Sequence, residues 1–333
     1  MNLAGGRKTG DTINAGTAAI VQGLERGSVA PDVEGSNPSS RPKPPFISAL
    51  IRSGKVDGVP SSPVLRGAAD PKTKQELLLP EDQAVPIWSN ASHLFAGTSG
   101  WAYATWKPDF YPKTVSAKKF LEYYGTRLNS VEVNYTFRAL PTAAMLQNWL
   151  SAVPEGFRFS FKAPQRVTHI KRLRECEDAV AQFLAVLEPV QQAGKLGSVL
   201  FQLPPNFKAD LPRLREFLAI PSLKKRKALP SLAFEFRHAS WFCDDLYALL
   251  REYNVALCVA ESEDLATPEV FTAETHACYR LRMPGGYDAA ASRAFAAKFR
   301  ALAAERDVYV YFKHEDAPTG PLAAAAMLAE AIR

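Results

Sequence analysis

From residue 94 onward, short apolar runs alternate with longer stretches of helical periodicity. Strands are predicted at Leu94–Thr98, Val131–Asn134, Arg158–Lys162, Ser198–Leu203, Leu232–Phe236, Ala256–Ala260, Ala277–Arg282 and Val308–Phe312. Helices are predicted between most of them, at Ser116–Leu128, Thr142–Val153, Glu175–Ala193, Leu211–Ala219, Asp244–Tyr253, Asp288–Glu305 and Leu322–Ile332. Pro141 sits just before the second helix and Pro212 in the first turn of the fourth, where a missing N–H costs nothing. Repeated strand-then-helix order implies a parallel sheet with helical crossovers. About eight strands in roughly 240 residues fit a closed parallel β/α barrel, the expected fold. An open doubly wound sheet is the alternative, although no GxGxxG follows the first strand.

Strand side chains alternate between faces, and in such a barrel the outward face packs on helices. Setting Val131 and Val133, Phe159 and Phe161, Phe201, Phe234 and Phe236, and Tyr279 and Leu281 outward turns a polar set inward. That set is Glu132, Asn134, Lys162, Gln202, Glu235, Arg237, Arg280 and Arg282, with Thr98 assigned to it by the same parity. The last strand leaves either Lys313 or His314 facing the mouth. Most of these residues fall at the C-terminal ends of strands, where barrels of this kind carry their active sites.

Residues 1–90 lack this rhythm. They hold 10 Gly and 10 Pro, against 9 and 15 in the remaining 243 residues. They are read as a disordered extension ahead of a barrel domain at 91–333. A second reading is a translation start placed too early. Gly35-Ser36-Asn37-Pro38 is what the bacterial tRNA T-arm consensus GGTTCGAATCC gives in one frame, and no Met follows Met1 until Met145.

Composition narrows the classes. No apolar run approaches the ~20 residues that span a bilayer, and the N-terminus lacks the apolar core of a signal peptide. No membrane partner is expected, and a cytoplasmic location follows by default. The four cysteines show no CxxC spacing, so free buried thiols are expected rather than a disulfide framework or a zinc site. The extension carries 10 basic and 9 acidic residues, leaving 30 basic and 25 acidic for the rest. That balance permits an anionic partner.

Longer segments carry a family resemblance. GTSGWAYATWKPDFYP (97–112), LEYYGTRLNSVEVNYTF (121–137), WLSAVPEGFRFSFKAPQRVTH (149–169), LFQLPPNFK (200–208), FEFRHASWF (234–242) and VALCVAES (255–262) together resemble the YecE-like family, domain of unknown function 72. The resemblance covers roughly residues 94–333 and implies a TIM-like barrel but no particular activity. Three corners of the mouth depart from the family's usual pattern. RLHG after the seventh strand is here Arg280-Leu281-Arg282-Met283, Asp-Ser after the sixth is Glu261-Ser262, and Phe-Asn-Asn at the end of the last is Phe312-Lys313-His314.

The chemistry expected is acid/base work on a small anionic substrate, sugar- or phosphate-bearing. Glu132 and Glu235 are the candidate acid and base, His169 on the loop after the third strand assists, and Lys162, Arg237 and Arg280 hold the anion. Thr98, Asn134, Gln202, His238 and Arg282 complete the candidate binding set. The bland reading pairs the same charges as buried salt bridges. The GTSGW turn offers backbone N–H groups to an oxyanion, and Ser240 reads as an N-cap. Trp101, Tyr103, Trp106, Phe110 and Tyr111 either stack on a ligand or pack the first loop. No cofactor motif is present and no metal site is predicted. Two other functions stay open: nucleic-acid binding or processing, and a non-catalytic ligand-binding module.

Overall fold

The structure, a computed structural model, describes Trp88 and residues 93–224, 231–261, 265–283, 286–313 and 316–333. The predicted extension, apart from Trp88, lies outside the described residues, as do Ser262 and His314. Trp88 itself is buried and its indole Nε1 donates to Gly125 O (3.0 Å), so at least this residue belongs with the barrel.

Eight parallel strands form one sheet: β1 (Leu94–Thr98), β2 (Ser130–Val133), β3 (Arg158–Lys162), β4 (Leu196–Gln202), β5 (Ser231–Glu235), β6 (Ala256–Ala260), β7 (His276–Leu281) and β8 (Asp307–Phe312). Their order, β1-β8-β7-β6-β5-β4-β3-β2, wraps the first strand round to the second. Each sequence-predicted strand is present, its ends within two residues of the expected ones. The predicted helices are present too, at Phe120–Arg127, Ala143–Ser151, Glu177–Gln192, Leu211–Leu218, Asp244–Glu252, Ala289–Ala303 and Thr319–Ala331. Three begin on a capping side chain: Thr142 accepts from Met145 N, Asp210 from Arg213 N and Asp288 from Ala291 N.

The alternation resolves into layers. Val131, Val133, Phe159, Phe161, Phe201, Phe234, Phe236, Tyr279 and Leu281 join the main core between sheet and helices. Inside the barrel, Phe95, Tyr309 and Tyr311 form one cluster and Leu200, Ala233, Ala256, Cys258 and Cys278 another. With Tyr309 and Tyr311 inside, Lys313 continues the inward phase of β8.

The first strand has the opposite phase to that expected. Leu94 and Ala96 lie in the outer core while Phe95 stacks inside on Tyr309 (5.1 Å). Ser99 therefore faces the mouth, and Thr98 faces the β1–β2 seam. LFAGT is apolar or small on both faces, so its sequence carries no alternation from which to set the phase.

That seam is closed mainly by side chains. The Asn129 amide mimics a strand: Oδ1 accepts from Ala96 N (2.7 Å) and Nδ2 donates to Leu94 O (2.7 Å). Tyr124 Oη accepts from Thr98 N (2.8 Å) and donates to Ser130 O (2.9 Å). Above them, Ser99 bridges to Glu132 in parallel fashion, and Gly100 N donates to Glu132 O (2.9 Å). The backbones approach so closely at Gly97 that a Cβ there would lie 1.8 Å from Ser130 O.

Removing the Asn129 amide orphans two buried backbone groups, each worth about 1–3 kcal/mol. Asn129→Ala is expected to destabilise the fold by about 2–5 kcal/mol in urea denaturation. A loss below about 1 kcal/mol would show that the seam does not depend on this side chain.

Candidate functional site

The mouth is organised by one guanidinium. Arg280, at the end of β7, is 1% exposed; its Nη1 donates to Glu235 Oε2 (2.5 Å) and its Nη2 to Glu132 Oε1 (2.7 Å). Glu235 Oε1 also accepts from Gln202 Nε2 (2.8 Å), and Glu132 Oε1 from Ser99 Oγ (2.9 Å). Five strand ends thus contribute to one buried network. Burial pushes both carboxyls up, but the Arg280 charge more than offsets it, with Arg282 contributing, and the Glu235 carboxyl falls to about 2. Both are carboxylates at neutral pH. Arg280, expected to hold an anion, has both terminal nitrogens taken by these carboxylates.

Other polar atoms in the same mouth are left over. Glu132 Oε2, Asn134 Oδ1, Arg280 Nε and Arg282 Nε are buried without a hydrogen-bond partner. Arg282 is fixed by its backbone, whose N–H donates to Glu261 Oε2 (2.8 Å); the same oxygen accepts from Tyr287 Oη. Its guanidinium makes no hydrogen bond or ion pair among the described residues. Burial and the Arg280 charge both lower its pKa, which marks a cation held at a cost.

Lys162, at the end of β3, is the second such cation. Its Nζ lies 4.2 Å from the centre of the Phe137 ring and makes no hydrogen bond or ion pair among the described residues. Thr136 Oγ1 donates to Lys162 O (2.7 Å), which fixes the Phe137 turn beneath the amine. Burial and the neighbouring Arg280 and Arg282 charges lower Lys162 to about 8, although Glu132 and Glu235 pull it up.

His169 stands on the other edge of Phe137, its ring centre 4.9 Å away. It belongs to a π-helical turn, Arg166–Ile170, that periodicity did not predict. The following loop holds Arg172, Leu173 and Glu175 in the left-handed region (φ 47°, 70° and 47°), backbone strain of the kind that gathers at functional loops. The Nδ1 of His169 pairs with Thr168 Oγ1 (2.9 Å), while Nε2 has no partner among the described residues. Burial and the charges of Lys162, Arg237 and Arg172 lower its pKa, so the ring is neutral at pH 7.

The remaining expected residues are placed less centrally. Arg237 is 45% exposed and reaches Glu235 Oε1 only at 4.0 Å. His238 is a cap: Nδ1 accepts from Ser240 N (3.1 Å) at the start of the turn Ala239–Trp241. Ser240, expected to cap, instead accepts from Ala209 N (2.8 Å) through its hydroxyl. Thr98 is fully buried and its hydroxyl donates to Gly100 O (2.7 Å). The GTSGW turn does not present its amides to a ligand, because Ser99 N donates to Phe312 O (3.1 Å) and Gly100 N to Glu132 O. Trp106, Phe110 and Tyr111 pack the first loop, while Trp101 and Tyr103 are half-buried at its edge. Among the described residues, no group of three or more His, Cys, Asp or Glu side chains could hold a metal ion, and no helix is long and apolar enough to cross a membrane.

Fold and site define a parallel β/α barrel with a charged, ion-paired mouth at the C-terminal ends of its strands. The chain belongs to the DUF72 family, described as protein of unknown function DUF72, which matches residues 95–333. It is 38% identical over 99 residues to UPF0759 protein YecE of Escherichia coli (strain K12), covering 29% of this chain and 36% of that protein. It is 30% identical over 161 residues to UPF0759 protein YunF of Bacillus subtilis (strain 168), covering 46% of this chain and 54% of that protein. The matches therefore span about a third to a half of the curated relatives' lengths. Among solved structures, a DUF72 family protein from Thermotoga maritima superposes with a TM-score of 0.58 at 24% identity, covering 70% of this chain and 96% of that one. A second, from Enterococcus faecalis, gives 0.54 at 18% identity, with 72% and 97% covered. These likenesses establish the barrel.

Two linked outcomes test the network. Arg280→Met leaves two buried carboxylates unpaired and is expected to cost about 3–5 kcal/mol in chemical denaturation. The pH dependence should also reverse. In the wild type the depressed Glu235 pKa adds stability that is full above the unfolded value of about 4.3 and is lost as pH falls through about 2. In Arg280→Met the carboxyls lose their counter-ion, their pKa values rise, and the variant should gain stability as pH falls from about 7 to about 5. Equal stability of wild type and variant at every pH would refute the counter-ion role.

Proposed function

We propose that this barrel is an enzyme that binds a small anionic substrate, sugar- or phosphate-bearing, at its mouth and acts on it by acid/base chemistry. The observation that carries the reading is the pair of half-buried cations at the mouth, Arg282 and Lys162, which make no hydrogen bond or ion pair among the described residues and stand beside orphaned atoms of Glu132 and Asn134. Unpaired buried charge is costly, and an anionic ligand between the two would offset that cost. Arg282 and Lys162 replace Arg280 as the leading anion contacts in this reading, with Arg237 at the rim. Glu132 and Glu235 act as carboxylates; neither supplies a proton at neutral pH, and the free Oε2 of Glu132 can accept one. His169, neutral with a free Nε2, and Lys162, near its pKa, are the groups suited to proton transfer. Asn134 and Gln202 complete the polar wall, with His238 and Thr98 outside the reacting centre.

Thermal-shift measurements with phosphate, sugar phosphates, acidic sugars, nucleotides and short oligonucleotides test the proposal. Without ligand, Lys162→Met and Arg282→Met should melt above the wild type, by an amount corresponding to about 1 kcal/mol, because each removes a charge the fold disfavours. With ligand, both should lose the shift that the wild type shows. The wild-type shift should also decline as pH rises through about 8, since the Lys162 amine is charged below that value and neutral above it. A shift that survives both substitutions, or no shift with any small anion, would sink the reading. A response to oligonucleotides alone would favour nucleic-acid binding.

A further inference from the structure

Two half-buried lysines of the barrel are held in opposite ways. Lys195 donates to Val153 O (2.7 Å) and Pro154 O (2.7 Å), so backbone carbonyls take two of its three donors. Lys162 has an aromatic face on one side, two carboxylates and two guanidiniums within electrostatic reach, and no hydrogen-bond partner among the described residues. We propose that Lys162 is a nucleophile that forms an imine with an anionic carbonyl compound, an α-keto acid or a phosphorylated aldehyde or ketone. This deepens the proposed function and rests on it, since Arg282 would hold the substrate's anionic group while the amine attacks its carbonyl carbon.

The chemistry balances with groups in the mouth. The neutral Lys162 nitrogen attacks the carbonyl carbon, forming the C–N bond, while the C=O π electrons move to oxygen, which takes a proton. The carbinolamine then loses that oxygen as water as the nitrogen lone pair forms C=N. Amine and carbonyl thus become imine and water, with no oxidant or reductant. Protons pass through His169, on the same Phe137 ring as the amine and with Nε2 unoccupied. The resulting iminium is positively charged, and the fixed carboxylates Glu132 and Glu235 stabilise it, as a preorganised site should. Two features ready the amine at neutral pH: partial burial, and the cations Arg280 and Arg282 that disfavour its protonated form. Lys195, although partly buried and beside the Arg158 cation, lies just before β4 begins, away from the mouth, and its amine is bonded to two backbone carbonyls.

The full chain would be incubated separately with pyruvate, glycolaldehyde phosphate and neutral acetaldehyde, then reduced with borohydride and analysed by peptide mass mapping. The expected result is an adduct on Lys162, with the mass of the carbonyl compound less one oxygen atom. At pH 7 it should form with an anionic probe at least about tenfold faster than with acetaldehyde. Lys162→Arg keeps the charge and removes the nucleophile. That variant should keep the phosphate-induced thermal shift and lose the adduct. Arg282→Met should lose the preference for anionic probes. If phosphate still shifts the melting temperature but Lys162 is modified no faster than the surface lysines, the imine proposal is overturned while the anion site stands. If neither phosphate binding nor the adduct is seen, both fall.

Discussion

Everything at the mouth depends on one buried guanidinium shared by two carboxylates. Glu132, Arg280 and Glu235 come from β2, β7 and β5, far apart along the chain and joined across the barrel. Removing three charges from water is expensive, and such triads seldom add net stability over well-packed apolar residues. What this one provides is geometry. With Gln202 and Ser99 holding one oxygen of each carboxylate, neither acid can turn away from the centre. The cost falls on the seam and the hydrophobic layers, which must be rigid enough to keep the ions in register.

The seam shows how that rigidity is built where the ladder is incomplete. Between β1 and β2 the backbones meet too closely at Gly97 for any side chain, and regular pairing is replaced by Asn129 and Tyr124. At the top of the seam, Ser99 and Gly100 bind both the backbone and the carboxylate of Glu132. Barrel closure and placement of the catalytic candidate are therefore the same set of bonds. A change at the seam is transmitted directly to the triad.

How much of this is legible in the sequence depends on the range of the interaction. The strands and the inward phase of β2 to β5 and of β7 follow from local alternation, because a one-residue slip would put Phe159, Phe201 or Phe234 in the mouth. The β1 phase was hidden because Phe95 is apolar and faces inward, which made Thr98 look available in place of Ser99. The roles of Asn129 and Tyr124 involve partners on β1 some 26 to 35 residues away and leave no local pattern. Alternation likewise reports which face a charge occupies and not which partner it takes. It therefore ranked Arg280 beside Lys162 as an anion contact, whereas the fold commits Arg280 to carboxylates and leaves Arg282 and Lys162 without a hydrogen bond or ion pair among the described residues.

That division of labour gives meaning to the chain's departure from the more usual RLHG pattern. The second Arg of Arg280-Leu281-Arg282 adds a guanidinium where an imidazole is commoner, and its N–H is tied to Glu261, itself a departure. The triad itself carries one net negative charge, two carboxylates against one guanidinium, while Arg282 and Lys162 beside it make no hydrogen bond or ion pair among the described residues. Ion pairs inside a protein are normally closed. In the proposed reading, these two cations are left to an anionic ligand, and Lys162 to one that can react as well as bind.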